Sequence, residues 1–155
     1  MPDVETYDLL VVGGGPAGLA AAAHAAALGL SVALADERAT LGGQIFKQMG
    51  PGFEVRDPSA LGHDYARGRA LIEAAERSAA TILTRTAVVA VEGDRVVLVT
   101  EGEHARTVVA RRLLLAPGAH DRPVAFPGWT LPGVLTAGAA QTLVKAQRVA
   151  PGERA

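Results

Sequence analysis

The sequence contains no cysteine, and this single absence excludes three kinds of chemistry. The chain can form no disulfide, no thiolate metal site and no redox-active pair of thiols. No serine lies in a nucleophile motif. The histidines are scattered without the spacing of metal ligands: His24, His63, His104 and His120. The sequence therefore predicts neither a metal site nor a catalytic residue.

The sequence also lacks an excess of charge of either sign. Lys and Arg number 15 and Asp and Glu 16, which gives a net charge of −1 at pH 7. No basic stripe is present that would attract nucleic acid, so no nucleic-acid partner is expected. Hydrophobic residues make up 49% and charged residues 20% of 155, which indicates one globular domain with a real core.

No segment has the pattern of a membrane span or a secretion signal. Residues 9–35 carry no Asp, Glu, Lys or Arg and are long enough to span a bilayer. However, glycines and a proline interrupt them, and alanine supplies much of their apolar character. The acidic residues Asp3, Glu5 and Asp8 precede the stretch, whereas a signal peptide begins with basic residues. We interpret the stretch as the core of a soluble, cytoplasmic protein.

What the sequence does have, near its start, is a glycine-rich motif that follows a short apolar run. Gly13, Gly15 and Gly18 fit the pattern G-x-G-x-x-G of a dinucleotide site. The first glycine makes the turn, the second lets the backbone approach a pyrophosphate, and the third lets helix pack on strand. Pro16 suits the first position of a helix, whose free N–H groups face the phosphates. With Ala17, these residues form the predicted pyrophosphate site.

The motif lies within a complete βαβ pattern. An alanine-rich helix is predicted over 19–28, Gly29 stops it, and a second buried strand follows over 31–35. Asp36 ends that strand, where an acidic side chain accepts hydrogen bonds from the adenosine ribose. The alternative is that Asp36 is a surface carboxylate at a strand end.

A second glycine turn, at Gly42 and Gly43, leads into Gln44. Paired glycines let the backbone pass close to a ligand, and the Gln44 side chain offers both a donor and an acceptor. A plain surface turn is the alternative.

The rest of the sequence predicts an α/β domain of Rossmann type. The predicted elements are a polar lead-in (1–7), a loop (49–58), a helix (59–79), a third strand (81–83), an antiparallel meander (88–91, 95–100 and 105–110), a fourth buried strand (113–115), a proline-rich loop (119–133) and a last helix (136–149) stopped by Pro151 and Gly152. We expect a parallel sheet of about four strands in the order 3-2-1-4, with the inserted β-meander capping one side.

This order of elements, ending in an apolar strand that leads into Ala116 and Gly118, resembles the FAD domains of the pyridine nucleotide-disulfide oxidoreductase superfamily. More narrowly, residues 42–45, 64–68, 121–134 and 136–148 resemble the A (alpha) subunits of opine oxidases. The alpha subunits of hydrogen cyanide synthase and D-hydroxyproline dehydrogenase are similar. The resemblance implies an FAD-binding flavoprotein subunit. In that family it works beside an amine-oxidase-like flavoprotein partner that oxidises an amino acid or opine.

The resemblance also implies a set of FAD contacts. The pyrophosphate would be held by Gly13, Gly15, Ala17 and Gly18, and the ribose by Asp36, with Glu37 and Arg38 beside it. The ribityl side would lie along Gly43 and Gln44, and the adenine edge would meet the Val88 backbone. From the fourth strand, Ala116 and Gly118 would approach the cofactor. For Val88, ordinary strand packing is the alternative.

Three departures from the superfamily pattern limit what the resemblance implies. The C-x-x-C of its thioredoxin reductases is replaced by residues 136–139, which excludes thiol chemistry. The usual A-T-G becomes Ala-Pro-Gly at Pro117, and proline removes one backbone donor. The second dinucleotide fold and the returning strand that ends in Gly-Asp are absent, since the only Gly-Asp, at Gly93 and Asp94, lies in a predicted hairpin.

We therefore divide the chain into an FAD-binding domain, 1–134, and a C-terminal helix, 135–155, that leads toward an absent second dinucleotide-binding domain. The sequence resembles the N-terminal part of a longer protein, and this part alone is expected to bind FAD weakly and to have no turnover. Two alternatives stay open. One is an NAD(P)-binding domain, in which Asp36 disfavours the 2′-phosphate and Arg38 offsets that effect. The other is a truncated, non-catalytic fragment without cofactor.

Overall fold

The computed structural model describes residues 4–50, 52–102 and 105–152. The strands in this part of the chain are Thr6–Tyr7 (β1), Leu9–Val12 (β2), Val32–Ala35 (β3), Thr81–Leu83 (β4), Thr86–Glu92 (β5), Arg95–Thr100 (β6), Arg106–Ala110 (β7) and Leu113–Leu115 (β8). The α-helices are Pro16–Ala27 (α1), His63–Glu76 (α2) and Ala137–Gln147 (α3), and Pro58–Leu61 forms a 3₁₀ helix.

The central sheet is parallel and has the order β4-β3-β2-β8. The predicted order 3-2-1-4 is therefore confirmed. The chain leaves β2 through α1 to β3 on one side, and it returns much later to β8 on the other side. Strand order thus reverses beside β2, and in open α/β sheets ligands bind outside the carboxyl ends of the strands at such a point.

Apolar layers cover both faces of this sheet. On one face Val11 and Leu34 pack with Leu19 of α1 and Ile72 of α2. On the other face Leu10 packs against the second sheet, in a cluster that includes Val96, Leu98 and Val108. Because successive side chains of a strand point to opposite faces, a strand covered on both sides needs an unbroken apolar run. This explains the sequences of β2 and β3. In the described residues, no helix is long and apolar enough to cross a membrane.

The second sheet contains the predicted meander and one strand that the sequence analysis missed. Its order is β1-β7-β6-β5, with β5, β6 and β7 antiparallel and β1 parallel to β7. The interpretation of residues 1–7 as a polar lead-in is therefore wrong for Thr6–Tyr7. The Arg111 N–H donates to the Tyr7 carbonyl at 3.0 Å. A two-residue strand held by backbone bonds has no side-chain pattern to detect. Residues 1–3 lie outside the described part.

Helix boundaries differ from the predictions where the backbone turns left-handed. The single helix predicted over 59–79 is divided at Gly62, which has φ of +95°. The Asp57 carboxylate accepts from the Ser59 N–H at 2.9 Å and so caps the preceding 3₁₀ turn. The last helix ends at Gln147, where Arg148 with φ of 55° caps it, before the predicted stop at Pro151. The first helix begins at Pro16, so the glycine turn leads directly into it.

Asp8 ties the start of β2 to the loop before β3, and this contact predicts an acid-sensitive fold. Its Oδ2 accepts from the Ser31 N–H at 3.0 Å and from the Ser31 hydroxyl at 2.9 Å. These bonds lower the pKa of Asp8 from its ordinary 3.8. A carboxyl with a lower pKa in the folded state stabilises the fold above its unfolded pKa, and the contribution is lost as the pH falls through the folded value. We expect the free energy of unfolding to fall below pH 3.8.

Asp8→Asn removes this titrating group, so the fall in stability on acidification should be smaller in the variant than in the unmodified chain. Urea unfolding followed by circular dichroism, repeated across the acid range, measures the difference. Equal pH slopes for both proteins would contradict the assignment to Asp8.

Candidate cofactor-binding cavity

A cavity of about 710 Å³ lies at the carboxyl ends of β2, β3 and β8, where strand order reverses. Twelve of the thirteen residues predicted from the sequence line it: Gly13, Gly15, Pro16, Ala17, Asp36, Glu37, Arg38, Gly43, Gln44, Val88, Ala116 and Gly118. Gly18 does not line it and lies behind the turn, in the first turn of α1. The structure thus brings the predicted residues together, and their roles toward a cofactor stay predictions.

Close backbone packing around the turn after β2 leaves no room for a side chain at Gly13 or at Gly18 of α1. Gly13 has φ of +104°, and its N–H donates to the Ala35 carbonyl at 2.8 Å. A methyl group at Gly13 would run into the carbonyl group of Ala116. A methyl group at Gly18 would run into the carbonyl oxygen of Gly13 and lie 3.2 Å from Cγ1 of Val11. These contacts bring the start of α1 against β2.

Gly15 and Pro16 open the helix toward the cavity. Gly15 has an ordinary extended backbone, with φ of −77°, and no described side chain caps α1 there. The first N–H groups of a helix have no partner within the helix, and they form its positive end. A methyl group at Gly15 would have only the Gly43 Cα within 4 Å, at 3.9 Å. The cavity therefore contains space and backbone donors of the kind that hold phosphate groups.

Asp36 is half-buried and joins two turns. Its Oδ2 accepts from the Gly14 N–H at 2.5 Å, and its Oδ1 accepts from the Arg38 N–H at 2.8 Å. A methyl group at Gly14 would run into the Leu41 side chain and lie 3.0 Å from Oδ2 of Asp36. Gly14 was not among the predicted site residues, although its place between two motif glycines was the available signal. Each carboxylate oxygen can accept a second hydrogen bond, which leaves capacity for a ligand hydroxyl.

The second glycine turn packs directly on the first. Gly42, with φ of +107°, donates from its N–H to the Gly14 carbonyl at 2.8 Å. Gly43 has φ of +64° and lies against Gly15. The Leu41 side chain is buried beside them. This close approach accounts for Gly43, whereas a methyl group at Gly42 would run into the Phe46 carbonyl oxygen. The turn places Gln44 at the cavity wall.

Other lining residues were not predicted: Val12, Ala35, Ile45, Thr86, Ala87, Pro117, Ala119 and His120. Val12 and Ala35 are the last residues of β2 and β3, and the rule that ligands bind at the carboxyl ends of strands could have predicted them. His120 had no such signal. Its Nε2 lies 3.5 Å from Oε1 of Glu37, so the segments after β8 and β3 meet at the cavity. Among the described residues, no cluster of three or more His, Asp or Glu could hold a metal ion.

The family model described as "Pyridine nucleotide-disulphide oxidoreductase" matches residues 7–153. The chain belongs to this family. It is 44% identical over 153 residues to the A-type subunit of opine oxidase from Agrobacterium tumefaciens (strain Ach5), covering 94% of the chain and 30% of that protein. It is 37% identical to hydrogen cyanide synthase subunit HcnB of Pseudomonas aeruginosa, covering 92% of the chain and 31% of that protein. The predicted resemblance to subunits of this type is confirmed.

Solved structures extend the likeness to the fold of this pyridine nucleotide-disulphide oxidoreductase domain. L-proline dehydrogenase from P. horikoshii superposes with a TM-score of 0.76 and 28% identity, covering 98% of the chain and 31% of that protein. A thioredoxin reductase from Streptococcus pyogenes superposes with a TM-score of 0.56. The chain spans about 30% of the length of its opine oxidase relatives. A flavin or nucleotide cofactor fits the family and the site.

Proposed function

We propose that this domain binds FAD and is the FAD-binding portion of a flavin-dependent oxidoreductase, one component of a multisubunit amino-acid or opine dehydrogenase. The observation that carries the proposal is the convergence, in one cavity, of the open end of α1, the Gly15 backbone and the Asp36 carboxylate. The names of the relatives support the larger assembly, because the opine oxidase and hydrogen cyanide synthase relatives are both named as subunits.

The residues present fit the ADP half of FAD. Gly15 leaves space that a side chain would fill, and the first turn of α1 contains the Ala17 N–H at the cavity wall and the Gly18 N–H behind it. These groups would bind the pyrophosphate, and Asp36 would accept hydrogen bonds from the ribose hydroxyls. FAD, when bound, supplies the redox chemistry, while the protein orients it and sets its surroundings.

The remaining predicted contacts lie along the same wall. Gly43 and Gln44 would follow the ribityl side, and the Val88 backbone would meet the adenine edge. At the end of β8 the Ala116 N–H already donates to the Val12 carbonyl at 2.8 Å. Pro117 has no N–H. Gly118 is therefore the residue of this turn whose N–H would donate to the cofactor.

Three exposed apolar side chains of the proline-rich loop (119–133) offer a surface to the proposed amine-oxidase-like partner subunit. Val124 is 76% exposed, Phe126 54% and Leu131 61%. Patches of this kind mark surfaces that are covered in an assembly. On this proposal the chain orients its cofactor, and substrate oxidation requires the partner subunit.

An NAD(P)-binding domain is the second candidate, because Arg38 lines the cavity beside Asp36 and would pair with a 2′-phosphate. Titration of the purified chain with FAD, ADP, NAD⁺ and NADP⁺ separates the two. We expect FAD to bind with quenching of its fluorescence, ADP to compete, and both nicotinamide dinucleotides to bind at least about tenfold more weakly. Amino-acid-dependent dye reduction should require the partner subunit. Tight NADP⁺ binding without FAD binding would favour the second candidate, and binding of neither would favour a fragment without cofactor.

A further inference from the structure

Lys47 is a buried cation without a carboxylate partner. Its residue surface is 8% exposed, and no ion pair among the described residues includes it. Burial, together with the nearby charges of Arg38 and Lys145, lowers the pKa of the Lys47 ammonium. Burying a charge costs free energy unless the charge is paired. Because the buried ammonium lowers stability, we expect Lys47 to have a role other than stabilising the fold.

The described partner of the Lys47 ammonium is the side-chain amide of Gln44. The ammonium donates a hydrogen bond to Oε1 of Gln44. An ammonium carries donors only, whereas an amide has an acceptor oxygen and a donor nitrogen. The amide can therefore face Lys47 with its oxygen alone, and this fixes its orientation. Because Oε1 faces Lys47, the two N–H donors of Gln44 are left for another group.

Gln44 lies where two cavities adjoin. It lines the cofactor-binding cavity and also a neighbouring cavity of about 530 Å³, which shares Arg38, Ala119 and His120 with the first. Lys47 lines neither cavity, so it reaches their contents by contact only through another side chain. Phe46 and Gln48 on both sides of Lys47 are buried, and the Gln48 amide donates to the Phe46 carbonyl at 2.8 Å. The backbone that carries Lys47 is thus held in place.

We propose that Lys47 is a positioning residue that fixes the Gln44 amide so that its N–H donors face an acceptor oxygen of the bound cofactor. The inference rests on the proposed function. It adds a ligand class at this point of the wall: a hydroxyl, phosphate or carbonyl oxygen that accepts a hydrogen bond. A group that can only donate would face these N–H donors, since Oε1 is turned toward Lys47. Holding the amide before the cofactor arrives lowers the ordering cost of binding.

A double-mutant cycle on FAD affinity tests this role. Lys47→Met and Gln44→Ala should each weaken FAD binding about tenfold, and the double variant should be no weaker than Gln44→Ala alone. Lys145→Met is the matched control, because it removes the same charge from the same neighbourhood. Its Nζ lies 3.4 Å from the Ile45 carbonyl oxygen, so it has a different partner. We expect its FAD affinity to stay within about twofold of the unmodified chain.

Thermal unfolding separates positioning from damage to the fold. Because Lys47→Met removes a buried unpaired charge, its melting temperature should be unchanged or higher although FAD binds more weakly. Additive losses in the cycle, or a melting temperature that falls together with affinity, would overturn the proposal.

A measurement on the cofactor-free protein keeps this inference separate from the proposed function. The side-chain N–H resonances of Gln44 should shift in Lys47→Met and stay in place in Lys145→Met. If the unmodified chain binds no FAD, the proposed function fails, and the resonances still decide whether Lys47 orients Gln44. Unchanged Gln44 resonances in Lys47→Met would show that Lys47 does not.

Discussion

Alanine at Gly18 is expected to destabilise the whole domain, whereas alanine at Gly15 is expected to leave the fold intact and remove cofactor binding. The added methyl group at Gly18 would overlap the carbonyl oxygen of Gly13 and lie 3.2 Å from Cγ1 of Val11. A backbone carbonyl in a tight turn cannot move aside as a flexible side chain can. We expect a loss of about 3 kcal/mol, the upper part of the usual range for overpacking. Domains have only about 5–15 kcal/mol of total stability.

Gly15 is in the opposite situation. Its backbone conformation suits any residue, and its added methyl group would have only the Gly43 Cα within 4 Å, at 3.9 Å. The free protein should therefore accept alanine with little loss of stability. The methyl group would, however, occupy cavity space where the backbone is predicted to approach the pyrophosphate. We expect FAD affinity to fall by about a hundredfold or more.

Urea unfolding and FAD titration of both variants measure the two effects. Gly50→Ala is the control, because a methyl group there meets nothing within 4 Å and Gly50 lies outside the cavity lining. It should change neither stability nor affinity appreciably. A stable Gly18→Ala protein would refute the tight packing of the turn. Normal FAD binding by Gly15→Ala would place the pyrophosphate elsewhere.

The contrast between these glycines shows which parts of the molecule the sequence could predict. The pairing of β2 with β3 followed from local patterns, since their apolar runs with an alanine-rich helix between them define one βαβ unit. The glycine spacing likewise placed Gly15 at the cavity. These features depend on neighbours close in sequence, so they could be read without the fold.

Other features depend on segments that are distant in sequence, and no local pattern carried them. The strand Thr6–Tyr7 exists because β7 lies beside it. His120 lines the cavity because the segment after β8 passes Glu37. The hydrogen bond from the Lys47 ammonium to Gln44 joins residues close in sequence. The role proposed for it depends on the burial of Lys47 and on the position of Gln44 at the cavity. Sequence patterns alone report neither burial nor cavity position.

Asp36→Ala is the second substitution with a large expected effect, and FAD or ADP binding should weaken roughly tenfold to a hundredfold. Losing charge-assisted hydrogen bonds to the ribose hydroxyls corresponds to about 1.5–3 kcal/mol. The same carboxylate also accepts from the Gly14 and Arg38 N–H groups at 2.5 Å and 2.8 Å. Its removal therefore acts in two ways, through the ribose and through the shape of the glycine turn.

The choice of ligand separates the loss of ribose hydrogen bonds from the change in the glycine turn. Pyrophosphate has no ribose, so its affinity reports the glycine turn alone, while ADP reports the turn and the ribose together. If Asp36 binds the ribose, Asp36→Ala should weaken ADP binding much more than pyrophosphate binding. It should also remove the preference for ADP over its 2′,3′-dideoxy analogue. Glu54→Ala is the control, since Glu54 is an exposed carboxylate outside the cavity lining, and its effect should be small. Equal losses for ADP and pyrophosphate would show that Asp36 only supports the Gly14 turn, and the assignment of Asp36 to the ribose would then be wrong.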